Sequence, residues 1–234
     1  MDWPNGLQDW PRLLDWLLPP RCGGCRRLGG WLCARCVQAI RRLEEPLCPR
    51  CGRQLAFRGD PCSCRRRLPH LARLRAVAAY EPPLSAAVHR FKYGGWRALG
   101  PPLAALLGAR LAVDGLPASA VLAVPLHRAR ARQRGYNQSE VLAAALRRRL
   151  ALTAPAGGLV RVRDTPPQVG LDRVRRLRNM EGAFRWQGPP GGGRALLLVD
   201  DVVTTGATLE ACAAALAKAG FGRITGITLA RVSL

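Results

Sequence analysis

The feature that most constrains the fold of this chain is a group of closely spaced cysteines. Eight of the nine cysteines fall between residues 22 and 64. They form three CxxC pairs and one CxC pair: Cys22 and Cys25, Cys33 and Cys36, Cys48 and Cys51, and Cys62 and Cys64. A short segment rich in arginine and glycine has too little apolar surface to fold alone, so these thiols must supply part of its folding free energy.

Paired thiolates at this spacing predict structural zinc. Two sulfurs from one tight turn hold half of a tetrahedral Zn²⁺ site, and a second pair completes it. Sequential pairing gives a double zinc ribbon, while interleaved pairing, and one zinc rather than two, are left open by the spacing. Disulfides are disfavoured in a reducing compartment. A redox role lacks the strand-to-helix setting of a reactive CxxC, and the isolated Cys212 fits a small core residue.

The net charge restricts the partners of the chain. Lysine and arginine number 37 against 15 acidic residues, which gives a formal charge of +22, and only Lys92 and Lys218 are lysines. Arginine forms bidentate contacts with phosphate, and a positive field of this size attracts nucleic acid or phosphorylated metabolites. Codon usage in a GC-rich genome is the alternative source of so many arginines.

Residues 1–20 are expected to form an amphipathic helix that docks on the protein itself rather than on a membrane. Its apolar residues recur at helical spacing: Trp10, Leu13, Leu14, Leu17 and Leu18. Acidic residues lie where an export signal would carry basic ones. No run reaches the roughly 20 apolar residues of a membrane span. We therefore expect a cytoplasmic protein with no membrane span.

After a ribbon expected over residues 21–68, the rest of the chain, residues 69–234, alternates strand-like and helix-like patterns. Apolar runs typical of strands occupy residues 75–80, 121–124, 159–162, 195–199 and 224–230. Helical patterns occupy residues 84–91, 102–112, 140–150 and 209–219, and Ser139 is placed to cap the third of these helices. The alternation predicts an α/β domain with a parallel sheet covered by helices on both faces.

The stretch LLLVDDVVTTGATLEACAAAL, residues 196–216, carries the strongest signal of chemistry. An apolar strand runs into two acids, then into a turn and a helix. Free N–H groups at the start of that helix favour an anion, and Gly206 permits close approach of a phosphate. Asp200 and Asp201 can accept hydrogen bonds from sugar hydroxyls or hold Mg²⁺, directly or through water. The two sites together suit a ribose 5-phosphate.

Residues 197–208 resemble the phosphoribosyl pyrophosphate (PRPP) signature of type I phosphoribosyltransferases, in which apolar residues, two acids and two variable positions precede T-T-G-x-T. Further blocks resemble the ComF family of competence-associated proteins, which are also linked to DNA utilisation: CPRCG, YEPPLSAAVHRFKYGG, VPLHRARARQRGYNQS, TPPQVGLDRVRRLRNMEGAF and VDDVVTTGATL. One departure is the last cysteine pair, which is CxxC in that family and Cys62-Ser-Cys64 here. Its shorter chelate loop weakens the expectation of a second zinc.

The resemblance implies a type I phosphoribosyltransferase-like fold and a role for each block. Asp200 and Asp201 would face the ribose hydroxyls and Mg²⁺. The 5-phosphate would be cradled by Thr204, Thr205, Gly206, Ala207 and Thr208. A pyrophosphate loop would neutralise the diphosphate with Arg130, Arg132 and Arg134, beside Gly135, Asn137 and Gln138. The long connection between residues 163 and 184 would close over the site as a hood, with Thr165, Gln168, Arg176 and Asn179. Lys92 and Tyr93 also match the family, without an assignable role.

Two functions follow from the resemblance. The first is an enzyme that transfers a phosphoribosyl group to an unidentified acceptor, in which Mg²⁺ and arginine stabilise the departing diphosphate while the two aspartates orient the ribose. The second is a non-catalytic module that binds PRPP or a nucleotide and engages single-stranded DNA or DNA-uptake proteins. Aromatic residues make up only 6% of the chain, so the DNA contact is expected to be mainly electrostatic. A PRPP-sensing transcriptional regulator is a third possibility, but no helix-turn-helix pattern stands out.

Overall fold

The structure, a computed structural model, describes residues 19–116, 119–163 and 180–232. Its strands are β1 (Arg73–Ala79), β2 (Ala120–Ala123), β3 (Gly158–Arg161), β4 (Phe184–Gln187), β5 (Leu196–Val203) and β6 (Ile224–Arg231). Its helices are α1 (Ala34–Gln38), α2 (Cys64–Arg67), α3 (Leu84–Tyr93), α4 (Gly100–Asp114), α5 (Arg128–Arg134), α6 (Gln138–Leu150) and α7 (Ala207–Lys218), with a 3₁₀ turn at Arg97–Leu99. The helix expected over residues 1–20 lies almost wholly outside the described residues.

Four strands form the parallel sheet that the sequence predicts. Their order is β1-β6-β5-β2, and every pair is parallel. The central strands β5 and β6 are buried along most of their length because helices cover both faces of the sheet. The α/β class is thereby confirmed, with each of these strands starting within two residues of its predicted position.

The predicted strand over residues 159–162 has a different partner from the one expected. It is present as β3, but it pairs antiparallel with β4 in a separate two-stranded sheet. Strand β4 was not predicted from the sequence, because it is short, alternates polar and apolar residues and lies at the end of a long connection. The expected hood over the site, with Thr165, Gln168, Arg176 and Asn179, falls in residues 164–179, outside the described residues.

Two core clusters flank the sheet. One joins Leu197 and Val199 of β5 to the apolar residues of α3, α4 and α6. The other joins Leu196 and Leu198 of β5 to α7 and to the end of the cysteine-rich segment, including Leu68. Successive residues of a strand point to opposite faces. The two acids that follow these apolar residues in β5 are therefore directed to different faces of the sheet.

The cysteine-rich segment is fastened to the sheet by arginines that donate to its backbone. Arg75 of β1 donates to the carbonyl oxygens of Cys48, at 3.4 Å, and Pro49, at 3.0 Å. Arg231 of β6 donates to the carbonyl of Cys51. Arg90 of α3 donates to the carbonyls of two glycines near the first cysteine pair. Charge-assisted bonds of this kind fix the segment against the α/β domain.

No helix within residues 19–116, 119–163 and 180–232 combines the length and the apolar character needed to cross a membrane.

Candidate functional site

Strand β5 brings the two acids to the edge where the parallel strands end. The strand continues past the acids to Val203, beyond the end expected from sequence, because β6 runs alongside and pairs with it as far as Arg231. Ligands of open α/β sheets bind outside the carboxyl ends of the strands. Asp200 and Asp201 lie at that edge, and their side chains make different contacts.

The Asp200 carboxylate is held by two donors. Its Oδ1 accepts hydrogen bonds from the hydroxyl of Ser139, at 2.9 Å, and from the backbone N–H of Asp201, at 2.9 Å. Ser139 is not the cap of α6 that the sequence suggested. Asn137 caps the helix instead, with its Oδ1 accepting from the Ser139 N–H at 3.0 Å, and this arrangement leaves the Ser139 hydroxyl to reach Asp200.

Burial raises the pKa of Asp200 to about 7, and the neighbouring charge of Asp201 adds to the effect. The Lys92 ammonium, the Asp201 N–H and the Ser139 hydroxyl act in the opposite direction, but they do not outweigh the burial. Near neutral pH this carboxyl therefore exists in both forms. The ionised form can accept a hydrogen bond from a hydroxyl group of a ligand.

Asp201 forms an ion pair that sequence reasoning missed. The ammonium Nζ of Lys92, in the last turn of α3, lies 2.8 Å from Asp201 Oδ1, and the two side chains are only 17% and 10% exposed. Burial opposes protonation of Lys92, but the two carboxylates outweigh it and raise its pKa. The available signal was the scarcity of lysine, since a chain that otherwise uses arginine places one of its two lysines here.

A small cavity lies between Asp200 and the turn that leads into α7. Its volume is about 90 Å³, and it is lined by Asp200, Val202, Val203, Thr204, Gly206, Ala207, Thr208 and Leu209. Gly206 precedes the helix with φ +88°, and a side chain there would meet Leu68 at 3.2 Å. Thr205 is buried, and its Oγ1 accepts from the Ala207 N–H at 3.3 Å. Thr205 thus supports the turn from inside, while its neighbours line the cavity.

The turn is held from below by the segment that leaves the cysteine-rich region. Glu210, in the first turn of α7, accepts hydrogen bonds from the backbone N–H groups of His70, at 3.0 Å, and Leu71, at 3.2 Å. The ring Nδ1 of His70 lies 2.6 Å from the same carboxylate. Arg50, which stands inside the third cysteine pair, donates to the carbonyls of Leu68 and Pro69 at 2.8 Å each.

The arginine-rich connection after β2 contains a helix, α5, which the sequence analysis did not anticipate. Arg134 ends that helix, lies 4.8 Å from the centre of the Tyr93 ring and donates to Gln138 Oε1 at 3.0 Å. Gln138 in turn donates to the Lys92 carbonyl at 3.4 Å. Arg134 is therefore adjacent to the segment that carries Lys92, whereas Arg132 is exposed and Arg130 is partly exposed.

Arginines and aromatic rings form a second cluster around Trp96. Trp31, from the cysteine-rich segment, packs edge-on against Trp96 with ring centres 6.1 Å apart. The guanidinium groups of Arg26 and Arg90 lie 5.8 and 6.0 Å from the Trp96 ring. Tyr93, which is 63% exposed, lies three residues before Trp96. Aromatic residues are sparse in the sequence, but the fold concentrates several of them beside arginines.

The eight paired cysteines form two four-sulfur clusters. The clusters are Cys22, Cys25, Cys33 and Cys36, and Cys48, Cys51, Cys62 and Cys64, with all sulfurs of a cluster within 4.8 Å of one another. Measured Sγ–Sγ distances of 3.6 and 3.7 Å fit the roughly 3.8 Å edge of a tetrahedron with Zn–S bonds near 2.3 Å. Sequential pairing is confirmed. The CxC pair completes its cluster, so the shorter spacing does not prevent a second site.

In each cluster one thiol is poised to ionise. Burial opposes ionisation of Cys22, but backbone N–H groups, that of Cys33 first, lower its pKa to about 6. Cys62 likewise overcomes burial through the Cys64 N–H and neighbouring side chains, and its pKa is also lowered to about 6. Thiolates are the form that binds zinc, so both donor sets fit structural Zn²⁺. Cys212 is buried in α7, as expected for a core residue.

The acidic pair fits a directly bound Mg²⁺ less well. Mg²⁺ requires several oxygen ligands in octahedral geometry. Asp201 Oδ1 is already ion-paired with Lys92, and Asp200 Oδ1 accepts two hydrogen bonds. These contacts engage one oxygen of each carboxylate, and the Lys92 ammonium lies where a metal on Asp201 Oδ1 would lie. The positive charge beside Asp201 disfavours a second cation bound directly to that carboxylate.

Comparison with known proteins agrees with this geometry. Residues 13–69 match the family described as Double zinc ribbon domain. The chain is 34% identical over 213 residues to the DNA utilization protein YhgH of Escherichia coli strain K12, covering 87% of this chain and 93% of that protein. It is 33% identical over 191 residues to competence protein F of Haemophilus influenzae, covering 77% and 82%. The chain therefore belongs to the ComF family, the family of these two proteins.

Proposed function

We propose that this protein binds PRPP at the β5 edge and acts in DNA uptake or DNA utilisation, the processes named for its relatives. The observation that carries the proposal is a single cavity in which the Asp200 carboxylate and the turn preceding α7 face each other. A carboxylate that accepts from hydroxyls, next to backbone N–H groups at a helix N-terminus, matches the two ends of a ribose 5-phosphate. Residues 21–68 act as the zinc ribbon and residues 69–234 as the phosphoribosyltransferase-like unit.

In this proposal the 5-phosphate occupies the turn from Thr204 to Thr208, and a ribose hydroxyl donates to Asp200. The diphosphate extends toward the arginine-rich segment that includes Arg130, Arg132 and Arg134. Mg²⁺ accompanies PRPP on the diphosphate, whose oxygens it prefers, rather than on the aspartates. Zinc supplies structure to the ribbons and takes no part in the chemistry.

Phosphoribosyl transfer requires stabilisation of two developing charges. The ribose ring gains positive character as the bond from its C1 to the diphosphate breaks, and the leaving diphosphate gains negative charge. In this proposal Asp200 favours the cationic ring, and the arginines of α5 favour the diphosphate. The acceptor that completes the transfer is proposed to reach the site from the side of Tyr93, where the surface is exposed.

Calorimetry with PRPP and Mg²⁺ tests the proposal. We expect the wild type to bind PRPP. The double variant Asp200→Asn, Asp201→Asn should bind it at least tenfold more weakly, because each substitution removes a charged hydrogen-bond acceptor. Glu44→Gln, an exposed acid in the ribbon, is the control for the change of charge. Equal affinity of the wild type and the double variant would contradict the assignment. Release of diphosphate on addition of candidate bases then separates an enzyme from a binding module.

A second function, binding of single-stranded DNA, is supported by the cluster around Trp96. Aromatic rings flanked by guanidinium groups offer base stacking and phosphate contacts together. The proposed DNA contact therefore adds base stacking to the mainly electrostatic contact expected from composition. Binding to a single-stranded oligonucleotide should weaken in Trp96→Ala, and should persist in Trp186→Ala, whose ring packs on Phe221 in the other core cluster. Equal losses in both variants would count against this surface.

A further inference from the structure

The most informative unassigned feature of the molecule is the cation already present at the acidic pair. Lys92 Nζ lies 2.8 Å from Asp201 Oδ1, and both side chains are largely shielded from solvent. Asp200 accepts hydrogen bonds from the Ser139 hydroxyl and the Asp201 backbone N–H. Among the described residues it forms no ion pair within 4.0 Å. The Lys92 ammonium therefore supplies one positive charge beside the two aspartates.

The backbone of the segment that carries Lys92 is held by two side chains. Gln138 donates to the Lys92 carbonyl, and Tyr136 donates to the carbonyl of the preceding residue, Phe91. The same short segment supplies Ser139 to Asp200. The start of α6, together with Tyr136 just before it, therefore contacts both Asp200 and the backbone that carries Lys92. These contacts hold the backbone from which the Lys92 side chain reaches Asp201.

A divalent cation bound directly to Asp201 would lie within a few ångströms of this ammonium. Like charges at that separation repel strongly in a poorly hydrated site. Ribose hydroxyls carry no charge, so they meet no such barrier. The geometry therefore favours a sugar over a metal as the direct ligand of the two carboxylates.

We infer that Lys92 is a positioning residue that acts as the built-in counter-ion of the Asp200–Asp201 pair, in place of a directly bound divalent cation. Binding of the ribose 5-phosphate part of the ligand is then independent of metal, and metal accompanies only the diphosphate. The inference rests on the proposed function, because it assumes that the acids and the turn before α7 bind a ribose phosphate.

Ribose 5-phosphate, which lacks the diphosphate, is the probe for the wild-type protein. Zinc-loaded protein in magnesium-free buffer, without chelator, should bind it with the same affinity as protein in excess Mg²⁺, within about twofold by calorimetry. Binding that requires Mg²⁺ would overturn the role of Lys92 and leave the ribose phosphate site standing. Absence of binding in both buffers would instead remove the proposed function, and this inference with it.

Lys92→Met gives the second test, with Mn²⁺ alone as the probe and electron paramagnetic resonance as the readout. Loss of the ammonium should weaken ribose 5-phosphate binding about tenfold. It should also increase Mn²⁺ affinity about tenfold, because the Asp201 carboxylate then lacks its cation. Adding Asp201→Asn should abolish the gain in Mn²⁺ binding, and Lys218→Met, at the exposed end of α7, should show neither change. Mn²⁺ binding by Lys92→Met no tighter than that of the wild type would refute the inference.

Discussion

Raising the pH from 6 to 8 should strengthen binding of ribose 5-phosphate, because the pKa of Asp200 is raised to about 7. The ionised carboxylate accepts hydrogen bonds from ribose hydroxyls much more strongly than the neutral acid does. With a pKa of about 7, roughly one carboxyl in eleven is ionised at pH 6 and roughly ten in eleven at pH 8. Apparent affinity scales with the competent fraction, so the expected gain attributable to Asp200 is about tenfold.

The ligand phosphate also ionises in this range, so the comparison must hold the ligand constant. Asp200→Asn, measured with the same ligand at pH 6, 7 and 8 by calorimetry, reports the contribution of the phosphate alone. The wild type should gain about tenfold more than this variant across the interval, with release of a proton on binding below pH 7. Parallel pH profiles for wild type and variant would refute the assignment of Asp200 as the hydroxyl acceptor.

The raised pKa of Asp200 also predicts how the stability of the fold changes with pH. Ligand binding should strengthen as the pH rises, whereas the contribution of Asp200 to the free energy of unfolding should fall. An acid whose folded-state pKa lies above its unfolded value favours folding at low pH, and this contribution is lost as the pH rises from about 4 through 7. Asp200→Asn removes the cost of the buried charge. The variant should therefore be more resistant to urea than the wild type at pH 8, and the difference should shrink at pH 5. A larger stabilisation at pH 5 than at pH 8 would contradict the raised pKa.

Three further predictions concern the turn and the ribbons. Gly206→Ala should weaken ribose 5-phosphate binding about tenfold in calorimetry, because φ is +88° and Leu68 crowds the site, whereas Gly95→Ala, also at positive φ but in open space, should not. Metal analysis should return two zinc ions per chain, and Cys64→Ser should reduce this number by one and lower the melting temperature. Glu210→Gln should cost about 1–2 kcal/mol in urea unfolding, since three hydrogen bonds lose a charged acceptor. Unchanged ligand binding in Gly206→Ala would contradict the first prediction. Unchanged zinc content in Cys64→Ser would contradict the second, and unchanged stability in Glu210→Gln the third.

The parts of the fold that could be predicted from sequence are those whose signal is local. Buried parallel strands are apolar along their length, so β5 and β6 were visible as runs of aliphatic residues. The cysteine spacing indicated zinc ligation because a tight turn alone sets the distance between paired sulfurs. The turn before α7 was visible for the same reason, since Gly206 and the threonines lie within one short stretch.

The parts that were missed depend on contacts between distant segments. Lys92 and Asp201 are more than 100 residues apart, and nothing in either sequence neighbourhood indicates that they pair. Ser139 looked like a helix cap because capping preferences are local, but Asn137 takes that role and the hydroxyl serves Asp200. The arginines of α5 gave no helical signal because the helix buries none of its residues.

Contacts between the second ribbon and the turn before α7 show why the ribbons belong to the candidate site. Helix α2 begins at the zinc ligand Cys64, and the residue that follows the helix, Leu68, packs against Gly206. Arg50, between two other ligands of the same cluster, holds the carbonyl of Leu68. One turn of helix therefore separates a cysteine of the second cluster from the surface on which the turn before α7 rests. Because structural zinc couples to folding, we expect zinc ligation at the second cluster to stabilise that turn as well as the ribbon.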